Sequence, residues 1–374
     1  MSLAFSISAA LRTPRRGITY FAIARSRQLF STSKAVADTS PLQVFHGVPP
    51  LRSFRRSLLF ANRTVGLVPT MGALHDGHLS LVRQAAAENT DVFVSIYVNP
   101  TQFGINEDLT TYPKTWESDV RMLNELQKEL DSKPGSGKIS AIFAPSTNVM
   151  YPTLPPSSEI NGKGSFVTIT PVAELLEGAS RPVFFRGVAT VCMKLFNIVE
   201  PERVYFGQKD VQQTVVIKRM VKDFYINTEV RIGPTRREED GLAMSSRNVY
   251  LGARRRKVGV VLSRALRAAA AQYAKGERSR SGILWPANDV VNQEMLKQDD
   301  LPAEQRARFE VDYISLADPD TLEEVEEIDE RGAILSGAIK MLPLEAPQEG
   351  EDTGLGGGHG PVRLIDNIII KPVS

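Results

Sequence analysis

Two histidines three residues apart, His75 and His78, stand in the stretch Gly66-Leu-Val-Pro-Thr-Met-Gly-Ala-Leu-His-Asp-Gly-His-Leu-Ser-Leu-Val-Arg83. An apolar run from Val65 to Val68 is closed by Pro69. Beyond His78 the apolar residues recur at Leu79, Leu81-Val82 and Ala85-Ala86, which is the helical interval. The stretch therefore predicts a strand, a short loop bearing Gly72 and Gly77, and a helix that opens at the two imidazoles. A helix N-terminus offers unpaired N–H groups and a partial positive charge, so it favours anions. Imidazoles held there donate to phosphate oxygens, and Gly77 lets a flat or bulky group approach the backbone. The pattern points to a nucleotide site.

Other chemistry competes for the same residues. A His-x-x-His pair also suits a metal, but a zinc site needs three or four ligands. The chain has four histidines (His46, His75, His78, His359) and one cysteine, so it is poor in partners for such a site. The pair also suits plain capping and packing of a helix start. A phosphate-binding P-loop is excluded, because no G-x-x-x-x-G-K-[ST] occurs; Gly135-Ser-Gly-Lys138 lacks both the first glycine's spacing and the following hydroxyl. Cys192 falls in the helical pattern Val188, Val191-Cys192, Leu195-Phe196, Val199, so a buried apolar role is expected rather than a nucleophile's.

The elements that must position these residues alternate from about Gln43 onward. After the first strand and a helix to about Asn89 come a strand at Asp91 to Val98 and the loop Asn99-Pro-Thr-Gln102-Phe. A helix at Trp116 to Leu130 and a strand at Ile139 to Ala144 follow, then a strand near Phe166 to Ile169 and a helix at Arg186 to Val199. A strand at Val204 to Phe206, the loop Gly207-Gln-Lys209-Asp210, a helix to Phe224 and a strand at Glu229 to Ile232 complete the series. Such alternation predicts an α/β fold with a doubly wound parallel sheet over residues 43–233. Ligands bind beyond the carboxyl ends of such strands, where all three loops are expected. From about residue 234 the texture changes to a smaller α+β domain, 234–374. It has a strongly basic helix from Ala253, a second helix near Asp289 to Lys297, and strands at Glu310 to Ala317, Ala333 to Met341 and Val362 to Ile370. Residues 275–281 and 345–360 read as insertions, the second as a flexible hairpin loop.

Charge is uneven along the chain. The first 37 residues hold five arginines, one lysine, six serines and no acidic residue, the composition of a mitochondrial transit peptide. The alternative is a disordered basic arm on a cytoplasmic protein. The whole chain has 45 basic and 43 acidic residues; without those six the balance is 39 against 43. The body is mildly acidic, which removes the charge argument for nucleic acid. No apolar run is long enough to cross a membrane.

Taken with the rest of the chain, these motifs resemble a known family. His75-Asp-Gly-His78 resembles the HxGH element of the nucleotidyltransferase superfamily, and Met244-Ser-Ser-Arg247 its KMSKS-like second element, with arginine in the basic place. Val98-Asn-Pro-Thr-Gln-Phe103, Leu176-Glu-Gly-Ala-Ser-Arg-Pro182, Phe206-Gly-Gln-Lys-Asp-Val-Gln-Gln213, Gly241-Leu-Ala-Met-Ser-Ser-Arg-Asn248 and Arg363-Leu-Ile-Asp-Asn367 occur with them. In this order they resemble the pantothenate synthetase (pantoate–β-alanine ligase) family.

The resemblance implies a Rossmann-like N-terminal domain, a small C-terminal lid domain, a homodimer, and Mg²⁺ with ATP as co-substrate. It implies attack of pantoate's carboxylate on ATP, then displacement of AMP by β-alanine, with no nucleic acid or membrane involved. Catalysis is expected of His75, His78, Lys209 and Arg247. ATP is expected to meet these together with Met71, Gly72, Gly77, Gly207, Gln208, Asp210, Met244, Ser245 and Ser246. Pantoate and β-alanine are expected at Asn99, Gln102 and Gln213. Asp210 suits either Mg²⁺ or helix capping, and no metal ligand is assigned. The other classes to be told apart are a different adenylate- or cytidylyl-forming enzyme and a non-catalytic nucleotide-binding protein on the same fold.

Overall fold

A computed structural model describes residues 42–104, 109 and 112–372, so the segment 1–37 lies outside the described residues. The N-terminal region runs β1 (Val44–Phe45), α1 (Val48–Phe60), β2 (Val65–Thr70), α2 (Asp76–Glu88) and β3 (Asp91–Ile96), then α3 (Trp116–Asp131) and β4 (Lys138–Phe143). Two single turns, α4 (Thr147–Met150) and α5 (Glu177–Ser180), precede α6 (Phe184–Val199), β5 (Arg203–Gly207), α7 (Val211–Asp223) and β6 (Glu229–Gly233). The six strands form one sheet in the order β1-β4-β3-β2-β5-β6, every pair parallel.

Strand residues alternate between two cores, as a pleated strand requires. Leu67, Phe93, Phe143, Val204 and Phe206 face a cluster built with α1, α6 and α7. Val68, Val92, Val94, Ile142 and Tyr205 face the other side, against α2 and α3. Helices on both faces make the strands near-continuous apolar runs. The chain leaves β2 toward β3 on one side, and β5 lies on the other, so strand order reverses between β2 and β5. That reversal opens a crevice at the carboxyl edge.

Beyond residue 234 the chain forms α8 (Gly252–Gly259), α9 (Val261–Ala274) and α10 (Arg280–Asp299), then the antiparallel sheet β7 (Phe309–Ala317), β8 (Ala333–Met341) and β9 (Val362–Ile370). Leu262, Ala265, Leu266 and Ala269 of α9 pack with Leu335, Ile339 and Leu364 of that sheet. The expected basic helix is two helices, broken at Val260. Its arginines are engaged internally: Arg254 with Glu351, Arg256 with Glu238 and Asp240, and Arg255 with backbone carbonyls.

One expected strand is absent: residues 166–169 pair with no strand. Val167 N donates to Thr190 Oγ1 of α6 at 2.9 Å, so this apolar run lies along a helix, where its pattern mimics a buried strand. Helix α1 is an element that the sequence pattern does not announce. Of residues 275–281, residues 275–279 form the turn between α9 and α10 and the last two open α10; the turn is closed by Glu277, which accepts the N–H groups of Arg278 (2.9 Å) and Ser279 (2.8 Å).

Candidate active site

The first wall of the crevice is the loop after β2. Thr70 Oγ1 donates to Ser95 O at 2.7 Å and accepts from Gly72 N at 3.2 Å, which ties the loop to β3. Asp119, buried in the first turn of α3, accepts the N–H groups of Ala73 (3.0 Å) and Leu74 (2.9 Å). A carboxylate remote in sequence therefore holds the segment that delivers His75.

The two imidazoles are fixed through their Nδ1 atoms. Nδ1 of His75 accepts the Gly77 N–H at 3.1 Å, and Nδ1 of His78 accepts the His75 N–H at 3.4 Å, a reciprocal cap on α2. A Cβ on Gly77 would stand 2.8 Å from His75 Cε1, so only glycine lets that ring fold over the turn. With Nδ1 accepting, the proton of each neutral ring sits on Nε2. Burial lowers His75 to about 4, helped by the charge of Lys209. His78 is lowered to about 3 by burial, then by His75 and Lys209. Both rings, 4.1 Å apart between centroids, are thus neutral single donors at pH 7.

The second wall follows β3. Asn99 is buried, and its amide is fully committed. Nδ2 donates to Gln102 Oε1 and Gly187 O, each at 3.1 Å, while Oδ1 accepts from Thr101 Oγ1 at 3.0 Å and Tyr151 OH at 2.6 Å. Two N–H groups and two lone pairs are all that an amide has. Asn99 thereby orients Gln102, whose Oε1 is occupied and whose Nε2 lies 3.1 Å from Met71 Sδ at the cleft. Gly187 makes this possible, since a Cβ there would lie 2.4 Å from Thr101 O.

The third wall comes from β5, α7 and the segment after β6. Gly207, Lys209, Asp210 and Gln213 line the cleft, with the Lys209 Nζ 3.4 Å from Asp210 Oδ1. Gln212, one residue earlier on α7, points elsewhere and donates to Val172 O (2.9 Å) and Leu175 O (2.7 Å). Met244, Ser245, Ser246 and Arg247 close the ring. Ser245 Oγ accepts the Arg247 N–H at 3.2 Å, and Tyr112 OH lies 3.1 Å from Ser246 Oγ. The cavity between these walls holds about 210 Å³ and opens to solvent.

Of the sixteen expected site residues, all line this cleft except Gly72 and Gln208. Gly72 turns the loop behind it, at φ +83°, and Gln208 Nε2 instead donates to Asn367 Oδ1 at 3.2 Å. Among the described residues no group of three or more His, Cys, Asp or Glu side chains is placed to hold a metal. Sequence reasoning did not anticipate Tyr97 and Tyr112 on the wall, or Asp119 and Tyr151 behind it. Asp119 carried only the signal of an acidic residue in a helix's first turn, and Tyr151 carried none.

Fold and site together define a Rossmann-like α/β protein with its ligand cleft at the switch point of a doubly wound sheet. The chain belongs to the pantoate–β-alanine ligase family, whose profile matches residues 43–369. It is 42% identical to a pantothenate synthetase of Roseiflexus sp. (strain RS-1) over 88% of this chain and 100% of that one. It is 40% identical to a pantoate–β-alanine ligase of Saccharomyces cerevisiae, again over 88% of this chain and 100% of the relative. The crystal structure of a pantothenate synthetase from Thermus thermophilus matches with a TM-score of 0.69 at 36% identity, covering 88% of this chain and 100% of that one. A pantoate–β-alanine ligase from Francisella tularensis, complexed with β,γ-ATP and β-alanine, matches at 0.61 and 30% identity over 88% and 97%.

Proposed function

We propose that this chain condenses pantoate with β-alanine to give pantothenate, AMP and diphosphate, through a pantoyl-adenylate. A pantoate carboxylate oxygen attacks the α-phosphorus of ATP, and the bond to the diphosphate oxygen breaks with its electron pair. The amine of β-alanine then attacks the acyl carbon, AMP departs, and the amine gives up a proton. The observation that carries this reading is the convergence, in one cleft, of two neutral imidazole donors, Lys209, the Ser245–Arg247 segment and the amides of Gln102 and Gln213. Displacement at phosphorus needs preorganised donors and positive charge rather than a protein nucleophile. His75 and His78, each with an Nε2–H, donate to the departing phosphates, and Lys209 and Arg247 add fixed charge. Gln102 and Gln213 serve pantoate's hydroxyls and carboxylate, and Asn99 acts by orienting Gln102.

Asp210 is the carboxylate among the described lining residues. One carboxylate plus phosphate oxygens and waters is an ordinary Mg²⁺ set, so these residues fit a Mg²⁺ that arrives on ATP and offsets its charge. We read residues 43–233 as the ATP- and pantoate-binding domain and 234–374 as the lid, with Arg247 on the lid. The homodimer rests on the family resemblance, and the mitochondrial reading on the composition of residues 1–37, with a cytoplasmic enzyme as the alternative.

The test is exchange of labelled diphosphate into ATP with pantoate present and β-alanine absent. Exchange is expected in the native protein. His78→Ala should lower it by on the order of 10²–10³, the usual effect of losing one transition-state donor. Pantoate affinity should change far less, because such an interaction alters rate more than ground-state binding. A native protein without exchange would exclude the adenylate, and ATP binding indifferent to pantoate would mark a non-catalytic protein.

A further inference from the structure

The run Arg363-Leu-Ile-Asp-Asn367 lies on β9, outside the cleft, yet it grips both loops that bring charge into it. Asn367 is 1% exposed and reaches from the three-stranded sheet to the turn after β5. Its Nδ2 donates to the carbonyls of Gln208 (2.8 Å) and Lys209 (2.9 Å). Those carbonyls belong to the two peptide units that flank the Lys209 Cα. Peptide units are planar, so pinning both fixes the direction in which the lysine leaves the backbone.

Asp366 faces the opposite way, as successive strand residues do. Its carboxylate takes both forks of Arg237, at 2.6 and 2.8 Å, with the orientation that a bidentate pair imposes. Arg237 also donates to Gly241 O at 3.1 Å. It stands in the stem of a small hairpin, bridged to Ala243, while Met244 N donates to Arg236 O at 2.9 Å. The chain leaves that hairpin as Met244–Arg247. Holding Arg237 therefore holds the root of the segment that lines the cleft.

We propose that Asp366 and Asn367 are positioning residues for the adenylation step, a two-sided peg on β9 that keeps Lys209 and Arg247 aligned on the same phosphates. This rests on the adenylation reading above. Neither residue touches the cleft, so their removal should misplace cations rather than abolish binding. A misplacement of about 1 Å at a reacting centre costs up to about 10²-fold in rate.

The experiment is a double-mutant cycle on diphosphate exchange, with Asn367→Ala, Lys209→Ala and the pair. Asn367→Ala should slow exchange about 10- to 100-fold at saturating ATP and pantoate, with pantoate's KM close to that of the native enzyme. In the Lys209→Ala background the same change should cost less than about threefold, because the group it positions is gone. Asn367→Asp retains the shape but presents an acceptor to two carbonyls, and should be at least as slow as the alanine variant. Asp366→Asn against Arg247→Ala tests the other face in the same way, should the Asn367 variants not fold. Equal slowing in both backgrounds, or a rise in pantoate's KM that parallels the loss of kcat, would overturn the proposal. A native enzyme that fails to exchange would instead sink the adenylate reading, so the two failures are distinct.

Discussion

An imidazole has two nitrogens, and at His75 and His78 they do different work. Nδ1 caps α2 while Nε2–H stays available for a ligand, so the capping role seen here is compatible with the proposed catalytic one. The pair was legible in the sequence because its partners are local, within three residues. Asp119 and Tyr151 were not legible, because they reach the same loops from 46 and 52 residues away. The depressed pKa values make a prediction about pH. An unfolded histidine titrates near 6.5, and folding here requires both rings to be neutral down to about 4 and about 3. Between those values the unfolded chain binds more protons, so stability is full above about pH 6.5 and is lost as pH falls toward 4. The loss should be on the order of 2 kcal/mol per ring by pH 5. Urea unfolding of the native protein and of a His75→Gln, His78→Gln variant at pH 7.5 and 5 checks this. The native curve should fall more steeply with acid, and parallel curves would mean the rings titrate normally.

Among the elements, β8 and β9 are bounded as their patterns predict, because a long antiparallel pair imposes its alternation over nine residues in each strand. Helix α1 escapes the pattern: it opens on Val-Pro-Pro with no side-chain cap, and three arginines dilute its apolar face. Residues 345–360 read as a flexible loop by composition, since glycine and acidic runs signal solvent. Long-range bonds to arginine are invisible to that pattern. Arg254 pairs with Glu351, and Arg255, with 0% exposure, donates from Nε to Leu251 O (2.9 Å) and from its two terminal nitrogens to Gly360 O (3.0 Å), Thr353 O (3.0 Å) and Tyr250 O. Removing the guanidinium strands four carbonyls in a dry site, each costing about 1–3 kcal/mol if left unpaired. Partial relaxation makes about 3–5 kcal/mol the expected loss for Arg255→Met, the range for breaking a buried charged group's partnerships. Thermal unfolding should show a clear drop in Tm, together with faster proteolysis between residues 345 and 360. An unchanged Tm and an uncut loop would show that the arginine is dispensable.

Across the whole molecule, the family match begins at residue 43, and the residues before it differ in charge from everything after. The body carries 39 basic and 43 acidic residues, and its arginines are largely paired at short range, as along α8. The net charge of this body is 39 minus 43, or −4, against +6 for residues 1–37. The six cations of residues 1–37 have no acidic residue among them to neutralise their field. An arginine- and serine-rich segment without acids has the composition of a mitochondrial transit peptide, which is the reading proposed above. Two fusions separate this reading from a basic arm with no address. Residues 1–42 joined to a fluorescent protein should carry it into mitochondria, and residues 43–374 alone should stay outside while retaining diphosphate exchange. Substituting glutamine for Arg12, Arg15 and Arg16 should weaken import without touching the enzyme, because charge is the signal and those arginines lie outside the family match. Cytosolic retention of the first fusion would leave the cytoplasmic alternative standing, and loss of exchange in the second would mean that the N-terminal residues serve the fold.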